Sequence, residues 1–116
     1  MRTVLITLAA AVFLGGPLVA APRTVKGELV EIACVRNGHD SEGPEHRDCA
    51  VSCARGGAAL GVMTDDGIIK IVGEYTENRN AKLLEFIAEE VEATGEMKVE
   101  DGELVIRVTA MKVVKR

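Results

Sequence analysis

The sequence predicts a mainly β chain, an OB-like five-stranded barrel with one helix between strands 3 and 4 and a long, partly helical loop between strands 1 and 2. Three observations carry this expectation. Apolar and polar residues alternate over several short stretches. Two Asp-Gly signals each separate a pair of apolar runs, as hairpin turns do. One segment between those two hairpins has helical periodicity instead. Rearranged sandwiches and other α+β packings share the same order of elements.

The chain opens with "MRTVLITLAAAVFLGGPLVAAP", in which Arg2 precedes an apolar run from Val4 to Leu14 that breaks at Gly15, Gly16 and Pro17. This is the layout of a secretory signal peptide, expected over residues 1–20, and the run is too short and too interrupted for a spanning helix. Cleavage is expected after Ala20, because a cut after Ala21 would leave Pro22 directly beyond the scissile bond. Residues 21–116 then form one OB-like domain, long enough for a single modest core. Loss of Arg2 takes the formal charge from -4 to -5. An acidic chain without clustered Lys and Arg is a poor partner for nucleic acid. Only Tyr75 and Phe86 remain as aromatics, which also excludes a stacking platform for bases or sugars.

Taken in order, "RTVKGELVEIAC" (Arg23 to Cys34) reads as the first strand, with Val25 and Leu29 on one face and Val30, Ile32 and Cys34 on the other. The change of face near Gly27 to Val30 predicts a bend. "AALGVMTDDGIIKIVGEY" reads as a hairpin turning at Asp65, Asp66 and Gly67. In "ENRNAKLLEFIAEE", Asn78 or Asn80 is placed to cap a helix whose apolar stripe is Leu83, Leu84, Ile87 and Ala88. The second hairpin alternates Val91, Ala93, Gly95, Met97 and Val99 with polar residues, turns at Glu100, Asp101 and Gly102, and returns through Leu104, Ile106 and Val108. The carboxylates Glu90, Glu92, Glu96 and Glu100 fall on the polar side of that alternation, so they read as a solvated strand face and not as a calcium site.

The remaining segment, residues 33–58, is a connection of about 25 residues, longer than a structureless loop in a compact domain normally runs. It contains Cys34, His39, His46, Cys49 and Cys53, all of the cysteines and histidines in the chain. Pro44 suits a helix start and Gly56 with Gly57 suit its end, which predicts a helix from Pro44 to Ala54. At about 100° per residue, His46, Cys49 and Cys53 share one face of it within roughly 60°. With Cys34 brought up from the first strand, three thiolates and an imidazole make a tetrahedral set suited to Zn²⁺, and the soft sulfurs suit Cu(I) equally. His39 is an alternative to His46. Against the metal stands a disulfide, Cys34 with Cys53 or with Cys49, closing about 20 residues and contributing ~3 kcal/mol in the chain-entropy picture. Cys49 with Cys53 is the least suitable pair, since side chains one turn apart on a helix run parallel. Three cysteines leave one over in any pairing, and thiol-based redox chemistry would need a thiolate of depressed pKa.

The run from "TVKGELVEIAC" through "HRDCAVSCARGGAALGVMTDDG" to the closing hairpin resembles small exported bacterial proteins of OB fold that carry a Cys…His-x-x-Cys-Ala-x-x-Cys segment. The resemblance covers most of residues 21–116 and implies the fold and a ligand cluster at Cys34, His46, Cys49 and Cys53, with no assigned activity. In strand layout alone the chain is also similar to periplasmic OB-fold stress proteins, which lack this segment. A Cys–His nucleophile oriented by Asp48 or Glu45 has little room for a substrate on one short helix, so no enzyme is expected. The expectation is therefore an exported, periplasmic or secreted protein that binds Zn or Cu through Cys34, His46, Cys49 and Cys53 in a structural or metal-handling role. The alternative is a disulfide-stabilised module that binds a protein or envelope component without metal. Neither nucleic acid nor stable membrane insertion after signal removal is expected.

Overall fold

A computed structural model describes residues 21–37 and 44–114. The proposed signal peptide and His39 lie outside the described residues. Five strands dominate: β1 (Arg23–Glu31), β2 (Leu60–Thr64), β3 (Gly67–Val72), β4 (Glu90–Glu100) and β5 (Glu103–Val113). They form one mixed sheet that closes on itself in the order β1-β2-β3-β5-β4. All neighbours are antiparallel except β3 and β5, which meet in parallel over Lys70↔Val105 to Val72↔Arg107.

β1 makes this closure by changing partners along its length. Arg23 to Glu28 pair with β4 and Glu28 to Glu31 pair with β2, so one strand belongs to both halves of the sheet. The exchange occurs at Glu28, directly after Gly27, where an added Cβ would lie 2.0 Å from the Met63 carbonyl oxygen. Glycine is required there by the approach of the next backbone, which any side chain would block. The second close approach is at Gly95, whose added Cβ would lie 2.1 Å from the Arg107 carbonyl oxygen, where the β4–β5 register shifts. The turns follow from local chemistry. Asp101 (φ 50°) and Gly102 (φ 78°) are both left-handed between the facing residues Glu100 and Glu103, as a tight hairpin with right-handed strand twist demands.

Inside the ring, Leu29, Leu60, Val62, Ile71, Val91 and Ile106 are buried. One end is filled by the chain between β3 and β4, and this chain is not the single helix the periodicity predicts. It is a series of single turns at Glu74–Thr76, Glu77–Asn80 and Leu84–Phe86. Asn78, Arg79 and Asn80 are successive left-handed residues, with φ of 53°, 55° and 61°, which no right-handed helix can contain. The stripe nevertheless does its work: Leu83 and Ile87 are fully buried. What displaces the helix is a backbone requirement of β1. The Leu29 N–H donates to the Glu89 carbonyl at 3.0 Å and the Leu29 carbonyl accepts from the Ala88 N–H at 3.0 Å, so the end of this segment is drawn out along β1.

A second correction concerns the end of β1. The strand stops at Glu31, and Ile32–Arg36 forms a short helix, α1, so Cys34 is helical and not a strand residue. Glu31 is 3 % exposed, and its carboxylate accepts from the backbone N–H groups of Ala33 at 3.2 Å and Cys34 at 2.7 Å. A buried carboxylate that caps a helix in this way satisfies donors that would otherwise be orphaned. Among the described residues, no helix is long and apolar enough to cross a membrane.

Candidate functional site

The connection from β1 to β2 contains the second helix, α2 (Arg47–Arg55), preceded by a tight turn at Pro44–His46. Ala50 and Ala54 are its buried residues, and Ala54 is fully enclosed. Because those two small residues face the core, the positions beside them face outward, and Cys49 and Cys53 are exposed. The helix ends where Gly57 takes φ 93° and donates its N–H to the Ala54 carbonyl at 2.9 Å. Beyond it, Asn80 fastens the helix to the plug: its side-chain amide donates to the Ala54 carbonyl at 3.0 Å and to the Ala58 carbonyl at 2.9 Å.

The predicted metal centre is overturned. Cys49 and Cys53 are hydrogen-bonded neighbours along α2, and Cys34 lies near enough for both to influence its titration. Among the described residues, however, no group of three or more His, Cys, Asp and Glu is arranged to hold a metal ion. His46 sits half-buried at the start of α2 and its side chain makes no capping bond. Cys34 is committed elsewhere. Its thiol donates to the Glu31 carboxylate, and this bond, with burial and the charges of Glu31, Cys53 and Cys49, pushes it up to about 11 from an ordinary 9.0. A metal ligand needs its thiolate stabilised, and Glu31 stabilises the thiol. The disulfide-tied alternative is overturned with it, since Cys34, Cys49 and Cys53 are all free. Loss of hydration, then the Cys49 and Glu31 charges and the Cys49 hydrogen bond, raise Cys53 as well. The depressed thiolate that thiol-exchange chemistry calls for is therefore found at neither Cys34 nor Cys53.

Cys34 supplies a pH prediction whose sign follows directly. The folded chain keeps a proton to about pH 11 that the unfolded chain releases near 9.0, so stability from this contact is complete below pH 9 and falls as pH rises towards 11. At pH 8, alkylation of Cys34 in the folded chain is expected to run about 100-fold slower than in urea, the ratio of thiolate fractions for that shift. Glu31→Gln should remove most of the difference. Equal rates in folded and unfolded chains would show that the Glu31 contact is not made.

A different feature has the geometry of a binding site. Beside Gly27 of β1 lies an open groove of about 830 Å³, lined by Lys26, Gly27, Glu28, Pro44, Met63, Thr64, Asp65, Ala88, Glu89 and Glu90. Glu28 and Glu90 face each other across the β1–β4 ladder. Both have contacts of their own and one Glu28 carboxylate oxygen is buried, so the carboxylates open to the groove are Asp65 and Glu89. Arg47 approaches Glu89 only to 3.9 Å, with both side chains close to half exposed, a separation at which an ion pair contributes little. Compared with known families, curated proteins and solved structures, this chain finds no match.

The groove is assembled from four places in the sequence, which is why linear reading misses it. Glu90 belongs to the carboxylate series on β4, in which Glu92 pairs with Lys112 at 3.3 Å and Glu96 with Lys98 at 3.8 Å. The usable sequence signal is the β1 stretch "KGE". Glycine admits the close approach of the next backbone, and the charged residues flanking it line the groove.

Proposed function

We propose that the chain is an exported, periplasmic or secreted, non-catalytic binding module of OB-like architecture that takes a cationic peptide segment of a protein partner into the groove over β1. The observation that carries this reading is the acidic lining of one groove of about 830 Å³, where Asp65 and Glu89 are open to an incoming ligand beside Glu28 and Glu90. Met63 and Pro44 add apolar surface beside the carboxylates. That combination suits lysine and arginine, whose aliphatic stems lie on apolar surface while the charged ends meet carboxylates. The same charge repels nucleic acid phosphates. The OB-like reading draws support from the ring order β1-β2-β3-β5-β4 with a plug between β3 and β4, and the exported reading from the N-terminal sequence pattern and the resemblance to small exported bacterial proteins. Such proteins need no stable membrane insertion once the signal is removed.

The test is calorimetric titration with a lysine-rich peptide and with its glutamate-rich counterpart at low salt. The lysine peptide should bind, the glutamate peptide should not, and binding should weaken as salt rises. Asp65→Lys and Glu89→Lys alter an exposed and a half-exposed groove position and should together weaken binding at least about tenfold. Replacement of Cys49 and Cys53 by serine should leave it unchanged. Indifference of the lysine peptide to the two charge reversals would remove the groove from the reading.

A further inference from the structure

β4 is longer than the strand beside it. β1 pairs with β4 only as far as Arg23↔Gly95, yet β4 continues to Glu100, paired there with β5 alone among the described residues. Among the described residues, the outer edge from Glu96 to Glu100 therefore has no strand partner. The tip also carries two of the three exposed large apolar side chains among the described residues: Val99 and Leu104 face each other across the hairpin and are 70 % and 41 % exposed. A long open edge with exposed apolar side chains is a template for another strand unless something blunts it.

The charge pattern of the edge selects its occupant. In an antiparallel pairing of two identical edges that keeps the apolar face continuous, residues of like parity oppose each other, so the register is named by the residue on the two-fold axis. With Met97 on the axis, Gly95 would have to pair outward, but that edge is already held by Arg23. With Lys98 on the axis, lysine meets lysine and Glu96 meets the partner's Glu100. With Val99 on the axis, Lys98 meets the partner's Glu100 twice over, and Val99 meets the partner's Val99. Only this last register joins opposite charges and apolar side chains together. The Lys98–Glu96 contact within one strand, at 3.8 Å and close to half exposed, is too weak to compete.

We propose that two copies of the exported chain associate edge to edge through β4, antiparallel about Val99, with Lys98 of each copy opposite the partner's Glu100. This does not depend on the groove, which lies beside Gly27. The contact is small and belongs at the weak end of specific association, with a Kd on the order of 100 µM.

Sedimentation equilibrium of the chain isolated after export, from about 10 µM to about 1 mM, should show a monomer–dimer transition. Lys98→Glu and Glu100→Lys each place like charges opposite each other and should raise Kd at least about tenfold. The double variant Lys98→Glu/Glu100→Lys restores opposite charges in the same register and should return Kd to within about threefold of the original. Circular dichroism on the same samples keeps folding separate from association. A monomer at every concentration, single variants that dimerise as before, or a double variant that stays monomeric would each overturn the proposal.

Discussion

Gly27→Ala is expected to destabilise the chain by at least about 3 kcal/mol, enough to lower Tm by roughly 15 °C in a domain of this size. The added methyl would sit 2.0 Å from the Met63 carbonyl oxygen and 2.8 Å from its carbon, so the obstacle is backbone and cannot rotate aside. Relief requires β1 to move away from β2 one residue before Glu28, where β1 passes from one partner to the other, and the ladders on both sides are strained together. Lys26→Ala, one residue earlier on the exposed side, should stay within about 0.5 kcal/mol. Thermal and urea unfolding of the two variants make the comparison, and a Gly27→Ala variant as stable as Lys26→Ala would mean that the two strands do not cross at this point.

Asn80→Ala is expected to cost about 3 kcal/mol, from two sources that a second variant separates. The Asn80 amide is the donor to both the Ala54 and Ala58 carbonyls, and the residue is 4 % exposed, so its removal leaves acceptors that water reaches poorly. Its backbone is left-handed at φ 61°, a conformation that asparagine tolerates better than alanine. Asn80→Gly removes the amide and relieves the backbone, so it should fall about 1 kcal/mol short of the alanine variant's loss. Equal stability of Asn80→Ala and the original chain would show that the amide does not hold α2 to the plug.

The contrast between hairpins and thiols marks where linear reading succeeds. Each hairpin is local: Asp101 and Gly102 accept left-handed angles, and the alternating residues on either side have one buried face, so neighbours in sequence suffice. The change of apolar face between Val25 and Val30 falls where β1 passes from β4 to β2. The thiols required distances between separate elements. His46, Cys49 and Cys53 have helical spacing, but the side of α2 that turns inward was decided by Ala50 and Ala54 packing against the core. Cys34 was decided by Glu31, whose carboxylate ends β1, begins α1 and takes the thiol as a donor.

By itself, the sequence determined the strands, their turns, the acidic balance and the apolar residues that fill the ring, because each depends on local backbone preference and on a period of two or 3.6 residues. Only the tertiary structure decided that the plug is a set of turns, that Cys34 is helical and bonded to a carboxylate, and that Glu28, Asp65, Glu89 and Glu90 share a groove. Those outcomes rest on long-range competition for backbone hydrogen bonds and for burial, in which Leu29, Asn80 and Ala54 outweigh the local preferences of the segments they meet.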